Sequence, residues 1–160
     1  SLKGDLLRLR IPLLQPSLRA DRLWQHTCFE AFVALDDKPE YYEFNFAPSG
    51  QWAAYQFQRY RHGISIADEI RLPKITVHNL DYGLDLHAIV SLDSLPMTPS
   101  GARLKLALSA VIEDKNGMLS YWALRHPPGK PDFHHPDAFA LDLHPAVVNA
   151  INESAYIGKR

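Results

Sequence analysis

The sequence predicts an all-β protein, an antiparallel β-sandwich or jelly roll formed by a single domain over residues 1–160. Three observations favour this class. Residues 23–60 contain three runs of apolar and aromatic residues separated by turn residues, and the runs alternate in polarity with a period of two. About eight runs of this kind cover the chain, and almost none shows a helical period.

The predicted strands follow one another between Pro, Gly, Asp and Asn residues. A first short strand over 6–11 ends at Pro12, and three meander strands are then separated by Asp36–Pro39 and Pro48–Gly50. The region 61–73 is mixed, with a strand around Ile64 and Ile66. The later strands are expected over 74–80, 82–92, 104–112 and 119–124, with an Asn116-Gly117 hairpin turn before the last. Residues 94–101 read as a loop, and a short helix is expected over 145–153.

The alternation assigns side chains to the two faces of the meander. Tyr42, Phe44 and Phe46 share one face and are expected in the core. Glu43 and Asn45 share the other face.

Composition excludes several classes of protein. The chain is 46% hydrophobic and 22% charged, which is ordinary for one globular domain. The net charge of -1 comes with scattered Lys and Arg, so a nucleic-acid partner is not expected. No apolar run approaches the roughly 20 residues that span a membrane.

Cys28 is the single cysteine, which excludes an internal disulfide and a cysteine-based zinc site. It lies in an apolar strand, where inert packing is expected.

The first twelve residues lack an uninterrupted apolar core, so they do not predict a signal peptide. The default expectation is a cytoplasmic protein. A secreted or periplasmic location applies instead if a signal has been removed.

The most unusual segment is RHPPGKPDFHHPDAF at 125–139. Irregular loops on a rigid β scaffold often carry binding groups. His134 and His135 are able to ligate a metal or haem iron. Alternatively, the prolines hold an extended segment across a sheet edge and the histidines only make hydrogen bonds. Adjacent histidines point apart on an extended chain, which favours this second interpretation. The candidate ligand-binding residues in and near this segment are Arg61, Arg125, His126, Lys130, Asp132, His134 and His135.

A second candidate site contains Glu30, Glu43 and Asn45. If the first two meander strands pair, the two carboxylates lie near one another on a common face. They would then serve as an acid and a base, as in glycoside hydrolysis, or as calcium ligands. Alternatively, Glu43 pairs with an arginine such as Arg59 or Arg61. Together with His134 and His135, the two glutamates are the candidate metal ligands.

Trp24, Trp52 and Trp122 form a third candidate site. A flat apolar ring beside directional hydrogen-bonding groups is what a sugar-binding surface requires. Most aromatic residues on strands belong to the core, so at least two of these three are expected to be mainly buried. The common nucleotide-binding and hydrolase motifs are absent from the sequence.

The segments LWQHTCFEAFVA, YYEFNFAPSGQWAAYQF, LSAVIED and YWALRHPPGKPDFHHPDAFAL, which span most of residues 23–143, resemble the small bacterial proteins described as DOMON-like. These proteins are relatives of the carbohydrate-binding module of family nine. The resemblance implies an immunoglobulin-like or jelly-roll sandwich that binds a sugar or haem without chemistry of its own. The pattern of Glu30, Asn45, Pro48 and Gly50 matches a strand-and-turn motif of the family that looks structural.

The resemblance also implies ligands. Haem-binding members hold the iron with a methionine and a histidine, which here points to Met97 or Met118 with His134 or His135. Sugar-binding members sandwich the sugar between two tryptophans. Members usually have further strands before the region equivalent to Gly4, so the chain is expected either to lack N-terminal strands or to complete its first strand with another chain, as an oligomer.

The sequence therefore predicts a ligand-binding module for a small molecule. A carbohydrate is the leading ligand and haem the alternative, and a metal-dependent hydrolase is the third hypothesis. A sugar site needs an exposed tryptophan in a groove, a haem site needs facing His and Met, and a hydrolase needs three converging metal ligands.

Overall fold

The computed structural model of the chain describes residues 1–92, 95 and 103–143, and in this part ten strands form two antiparallel sheets. The small sheet has the order β1-β7-β6, and the large sheet has the order β10-β8-β2-β3-β4-β5, with β9 paired to β8. The strands are β1 Leu2–Lys3, β2 Cys28–Leu35, β3 Tyr41–Phe46, β4 Trp52–Phe57, β5 Ser65–Ile66, β6 Lys74–Leu80, β7 Gly83–Ile89, β8 Leu104–Glu113, β9 Leu119–Ala123 and β10 Leu141–Leu143. Three short 3-10 helices lie at Leu6–Arg8, Leu23–Gln25 and Pro136–Ala138.

The two sheets pack together as a β-sandwich, which confirms the predicted fold class. One face of the large sheet carries Val33, Phe44 and Ala54, which are buried against the small sheet. Partly buried side chains of β6 and β7, including Ile75 and Leu86, pack against them. Burial of these apolar side chains joins the sheets, at about 25 cal/mol for each Å² removed from water.

The opposite face of the large sheet is also largely buried. Phe32, Tyr41 and Phe57 lie on this face and form a second core cluster. The cluster includes Phe133 and Ala138, which belong to the segment 125–139. We call residues 125–139 the covering segment, because it lies over the face that the small sheet leaves free.

The predicted hairpin between β8 and β9 is present. Gly117 adopts a φ of +81°, and the Asp114 side chain accepts hydrogen bonds from the backbone N–H groups of Asn116 and Met118. The strands predicted over 27–35, 41–46, 52–60, 74–80, 82–92, 104–112 and 119–124 are confirmed, and no end differs by more than three residues.

The predicted first strand over 6–11 is wrong. Residues Leu6–Arg8 form a 3-10 helix capped by Asp5, and Leu9 makes only an isolated bridge to Asp114. The first strand is instead Leu2–Lys3, which pairs with β7. Alternation alone cannot show whether a partner strand is within reach. The predicted loop at 94–101, apart from Leu95, and the predicted helix at 145–153 lie outside the described residues.

None of the helices in the described ranges has the length and apolar character needed to cross a membrane.

We expect Gly83→Ala to release β1 from the small sheet. A Cβ at this position would lie 2.2 Å from the backbone oxygen of Leu2, and Gly83 has a φ of +152° that L-residues rarely adopt. The variant should lose about 1 kcal/mol or more of stability and show faster amide hydrogen exchange at residues 2–4. Gly129→Ala is the control, because its Cβ meets open space at a φ of +96°. Unchanged protection of residues 2–4 in Gly83→Ala would contradict the prediction.

Candidate carboxylate pocket

A pocket of about 550 Å³ opens on the face of the large sheet that carries the covering segment. We call it the carboxylate pocket, and its polar and aromatic lining includes Trp24, Glu30, Glu43, Tyr55, Arg61 and His134. Glu30 pairs in register with Asn45, and Glu43 pairs with Tyr55. Side chains two residues apart share a face of a sheet, so β2, β3 and β4 direct these residues to one side.

The two glutamates form the polar floor of the pocket. Both are more than nine-tenths buried, and they are diagonal neighbours on adjacent strands. Glu43 accepts a 2.7 Å hydrogen bond from the Asn45 side chain, whereas Glu30 accepts a longer one of 3.4 Å from Ser109. The structure therefore brings together the carboxyl groups that the sequence suggested as a pair.

The environment disfavours ionisation of both carboxyls. Burial, followed by the nearby charge of Glu43, raises the pKa of Glu30 to about 8. Burial also raises the pKa of Glu43, although the hydrogen bond from Asn45 opposes the shift. The Glu30 carboxyl is consequently mostly protonated at neutral pH, and Glu43 is the more readily ionised of the two.

Cys28 precedes Glu30 by two residues on β2 and is completely buried. Its Sγ donates to the Asn45 side-chain oxygen at 3.7 Å, and burial raises the pKa of its thiol well above the usual value. The structure supports the expectation of inert packing, because nucleophilic attack requires the thiolate.

An ion pair fixes the covering segment at the edge of the pocket. Arg61 donates to Oδ1 of Asp132 from Nη2 at 2.7 Å and from Nε at 3.2 Å. The Tyr60 hydroxyl also donates to Asp132. Burial alone would raise the pKa of Asp132, but these hydrogen bonds outweigh burial and lower it. Arg61 thus pairs with Asp132 rather than with Glu43.

His134 is the histidine that points inward. Its Nδ1 lies 2.8 Å from the Tyr41 hydroxyl, and its ring packs edge-on against Phe32 and Phe57 at centroid distances of 5.0 and 5.1 Å. Burial, and then the charge of Arg61, lowers the pKa of His134 to about 4. The imidazole is therefore neutral at pH 7, with Nε2 only 3.7 Å from a Glu43 oxygen.

Trp24 forms an aromatic wall at the opening of the pocket. Its side chain is 36% exposed and meets Tyr55 edge-to-face, with ring centroids 5.6 Å apart. The Tyr55 hydroxyl donates to Asp21, which holds this ring in place. An aromatic surface is therefore available to a ligand next to the polar floor.

The other two tryptophans lie elsewhere. Trp52 is only 4% exposed and packs in the core between the sheets, so its prediction as a ligand contact is wrong. It shares the face of Phe44 and Phe46, as the strand alternation requires. Trp122 is 64% exposed and points to the opposite face of the large sheet from Tyr121, away from the pocket. The expectation that at least two of the three tryptophans are mainly buried is wrong, because Trp24 and Trp122 are both exposed and only Trp52 is buried.

The remaining predicted residues of the covering segment do not line the pocket. Arg125, His126 and Lys130 are exposed. His135 faces outward, where its Nδ1 accepts the backbone N–H of Asp137. The two adjacent histidines thus point apart, and only His134 reaches the carboxylate pocket.

Within the described ranges, no group of three or more His, Cys, Asp or Glu side chains is arranged to hold a metal ion. The candidate metal ligands Glu30, Glu43, His134 and His135 therefore do not converge as one set. For haem, Met97 lies outside the described residues, and Met118 is 69% exposed in the hairpin turn. Haem and calcium stay predictions of the sequence.

Strands β8 and β9 supply a part of the pocket that was not predicted from the sequence. Val111 pairs with Tyr121 across the hairpin, and both line the pocket together with Leu119 and Phe133. The Asn116-Gly117 turn could have predicted this part of the pocket, because a tight hairpin sets the register that brings Tyr121 opposite Val111.

Comparisons with known proteins show a likeness of fold. No protein-family model and no curated protein matches the chain. A crystal structure of a "putative carbohydrate-binding protein" from Bacteroides uniformis ATCC 8492 is similar, with a TM-score of 0.54 at 14% sequence identity. The similarity covers 86% of this chain and 66% of the Bacteroides chain, so this chain spans just under two thirds of the length of the Bacteroides protein. At this identity the comparison supports the β-sandwich fold.

Proposed function

We propose that this domain is a non-catalytic carbohydrate-binding module and that the sugar binds in the carboxylate pocket. One observation carries the proposal: the exposed Trp24 ring lies at the opening of the pocket whose floor holds Glu30 and Glu43. Sugars offer both an apolar ring face and hydroxyl groups. An aromatic wall beside buried acceptors fits both features.

The polar groups of the pocket are suited to orienting a ligand. Glu43 is fixed by Asn45, and Arg61 is fixed by Asp132, so neither side chain must be ordered when a sugar binds. Preorganised groups of this kind lower the entropic cost of binding. The structural likeness to a protein described as carbohydrate-binding agrees with this proposal.

A metal-dependent hydrolase is less well supported. Such an enzyme needs three or more converging metal ligands, and the described residues hold no such group. Binding without turnover is therefore the proposed activity.

We expect Trp24→Ala to weaken sugar binding at least tenfold, because aromatic anchors at binding sites typically contribute 2 kcal/mol or more. The measurement is isothermal titration calorimetry against a panel of neutral, amino and acidic oligosaccharides, with product analysis to detect hydrolysis. Trp122→Ala is the matched control, since it removes an exposed tryptophan from the opposite face. Its affinities should equal those of the wild type.

Three results would overturn the proposal. They are no binding to any member of the panel, equal weakening by Trp24→Ala and Trp122→Ala, or cleavage of a bound oligosaccharide.

A further inference from the structure

The two glutamates of the carboxylate pocket differ from a third buried glutamate on the same sheet face. Glu113 lies at the end of β8, and its two carboxylate oxygens contact Arg10 and His26 at 2.7 Å each. This third carboxylate is fully paired within the chain. Buried carboxylates are normally paired in this way, because an isolated buried charge is costly.

Glu30 and Glu43 have no such partner in the part of the chain that the structure describes. No lysine or arginine there lies within ion-pair distance of either carboxyl. The basic side chain next to Glu43 is His134, whose Nε2 lies 3.7 Å from a Glu43 oxygen, and it is neutral because burial lowers its pKa to about 4. The guanidinium that lines the pocket, that of Arg61, already pairs with Asp132.

Among the described residues, the floor of the pocket therefore has two carboxyl groups and no Lys or Arg paired with them. Asn45 and Ser109 each supply one donor to the two carboxyl groups, which together offer four oxygens. Burial and the charge of Glu43 raise the pKa of Glu30 to about 8, so this carboxyl takes up a proton near neutral pH in the absence of a cation. A bound cation would take the place of that proton.

The walls of the pocket also suit a cation. Trp24, Tyr55 and Tyr121 line it, and aromatic rings attract cations through their negative faces. An ammonium group has three donors and no acceptor, which complements neighbouring carboxyl groups. An acidic sugar would instead meet two carboxyl groups and an arginine that is already paired.

We propose that the preferred ligand is an amino sugar, whose protonated amine lies between Glu30 and Glu43 while its ring packs against Trp24. This proposal rests on the proposed function and specifies its substrate class. A neutral sugar would leave the floor without a compensating charge.

The test compares three trisaccharides that share a β-1,4-linked glucose backbone and differ at the C2 substituent. They are fully deacetylated chitotriose, its N-acetylated form and cellotriose, measured by calorimetry at pH 6 with butylammonium as an amine without a sugar ring. We expect chitotriose to bind at least tenfold more tightly than the other two, since hydrogen bonds to charged groups contribute roughly 1.5–3 kcal/mol.

Glu43→Gln should reduce chitotriose affinity roughly tenfold to a hundredfold and reduce cellotriose affinity much less. Asp81→Asn is the charge-matched control. It changes the net charge equally but lies in the exposed turn between β6 and β7, and it should preserve the preference.

The outcomes separate this inference from the proposed function. Equal, Trp24-dependent affinity for chitotriose and cellotriose would overturn the amino-sugar proposal and leave carbohydrate binding intact. A preference for chitotriose that Glu43→Gln does not change would also overturn it. Butylammonium binding as tight as that of chitotriose would show that the sugar ring is not recognised and would overturn both. Absence of binding to all the sugars would also overturn both.

Discussion

At pH 9, Glu30→Gln should unfold at a higher urea concentration than the wild type, whereas at pH 5 the two proteins should have similar stability. Burial and the charge of Glu43 raise the pKa of Glu30 to about 8 in the folded state, from an ordinary value of 4.5. Between these two values the folded protein keeps a proton that the unfolded chain releases. Wild-type stability therefore falls as the pH rises from about 4.5 to 8 and then levels off.

The expected gain from Glu30→Gln above pH 8 is on the order of a few kcal/mol. Glutamine keeps the shape of the side chain but cannot ionise. The substitution leaves unchanged the groups that face Glu30 from β2 itself, the adjacent strands, the segment between β4 and β5, and the covering segment; they are Cys28, Glu43, Asn45, Ser109, Arg61 and His134. Urea unfolding curves at pH 5, 7 and 9 give the free energy of unfolding of each variant.

Glu113→Gln provides the contrasting control. It removes a carboxylate paired with Arg10 and His26, so it should destabilise the protein at pH 7. A stability difference between Glu30→Gln and the wild type that stays constant from pH 5 to 9 would refute the account of Glu30.

Phe32→Ala should destabilise the protein by about 3–5 kcal/mol, the usual cost of removing a buried phenylalanine ring. The Phe32 side chain is fully buried, and its ring meets His134 at 5.0 Å and Tyr41 and Phe139 at 6.4 Å each. It therefore joins the sheet to the covering segment. We expect chemical denaturation to show the loss of stability, and limited proteolysis to show faster cleavage within residues 125–139.

Phe29→Ala is the matched control on the same strand. Phe29 is only partly buried and lies on the opposite face of β2, so its loss should cost less and leave proteolysis of the covering segment unchanged. Equal cleavage rates in the Phe32 and Phe29 variants would show that Phe32 does not anchor the covering segment.

Several features of the carboxylate pocket could be predicted from local patterns. The alternation in residues 41–46 placed Glu43 and Asn45 on one face, and a single antiparallel pairing with β2 brings Glu30 beside them. The Asn116-Gly117 turn was equally local, because few residues other than glycine and asparagine adopt positive φ readily. Such features depend on neighbours in the chain or on one adjacent strand.

Other features needed contacts between distant residues. Trp24, Trp52 and Trp122 look equivalent in the sequence, yet one lines the pocket, one fills the core between the sheets and one is exposed on the opposite face. The segment 6–11 alternates like a strand, but its pairing within the described residues is limited to an isolated bridge between Leu9 and Asp114 and the backbone hydrogen bonds beside it. Its alternation resembles that of true strands, so the pattern could not exclude it.

The sequence by itself determined the β-sandwich class, the strands of the meander and the face on which each meander side chain lies. These follow from a period of two and from turn residues, both of which act over a few positions. Only the tertiary structure decided that the face with Glu30 and Glu43 is covered by residues 125–139, that Arg61 pairs with Asp132, and that the two glutamates remain without a cationic partner in the described residues. Charge pairing and burial depend on contacts between segments that are distant in the sequence, and a local pattern does not determine those contacts.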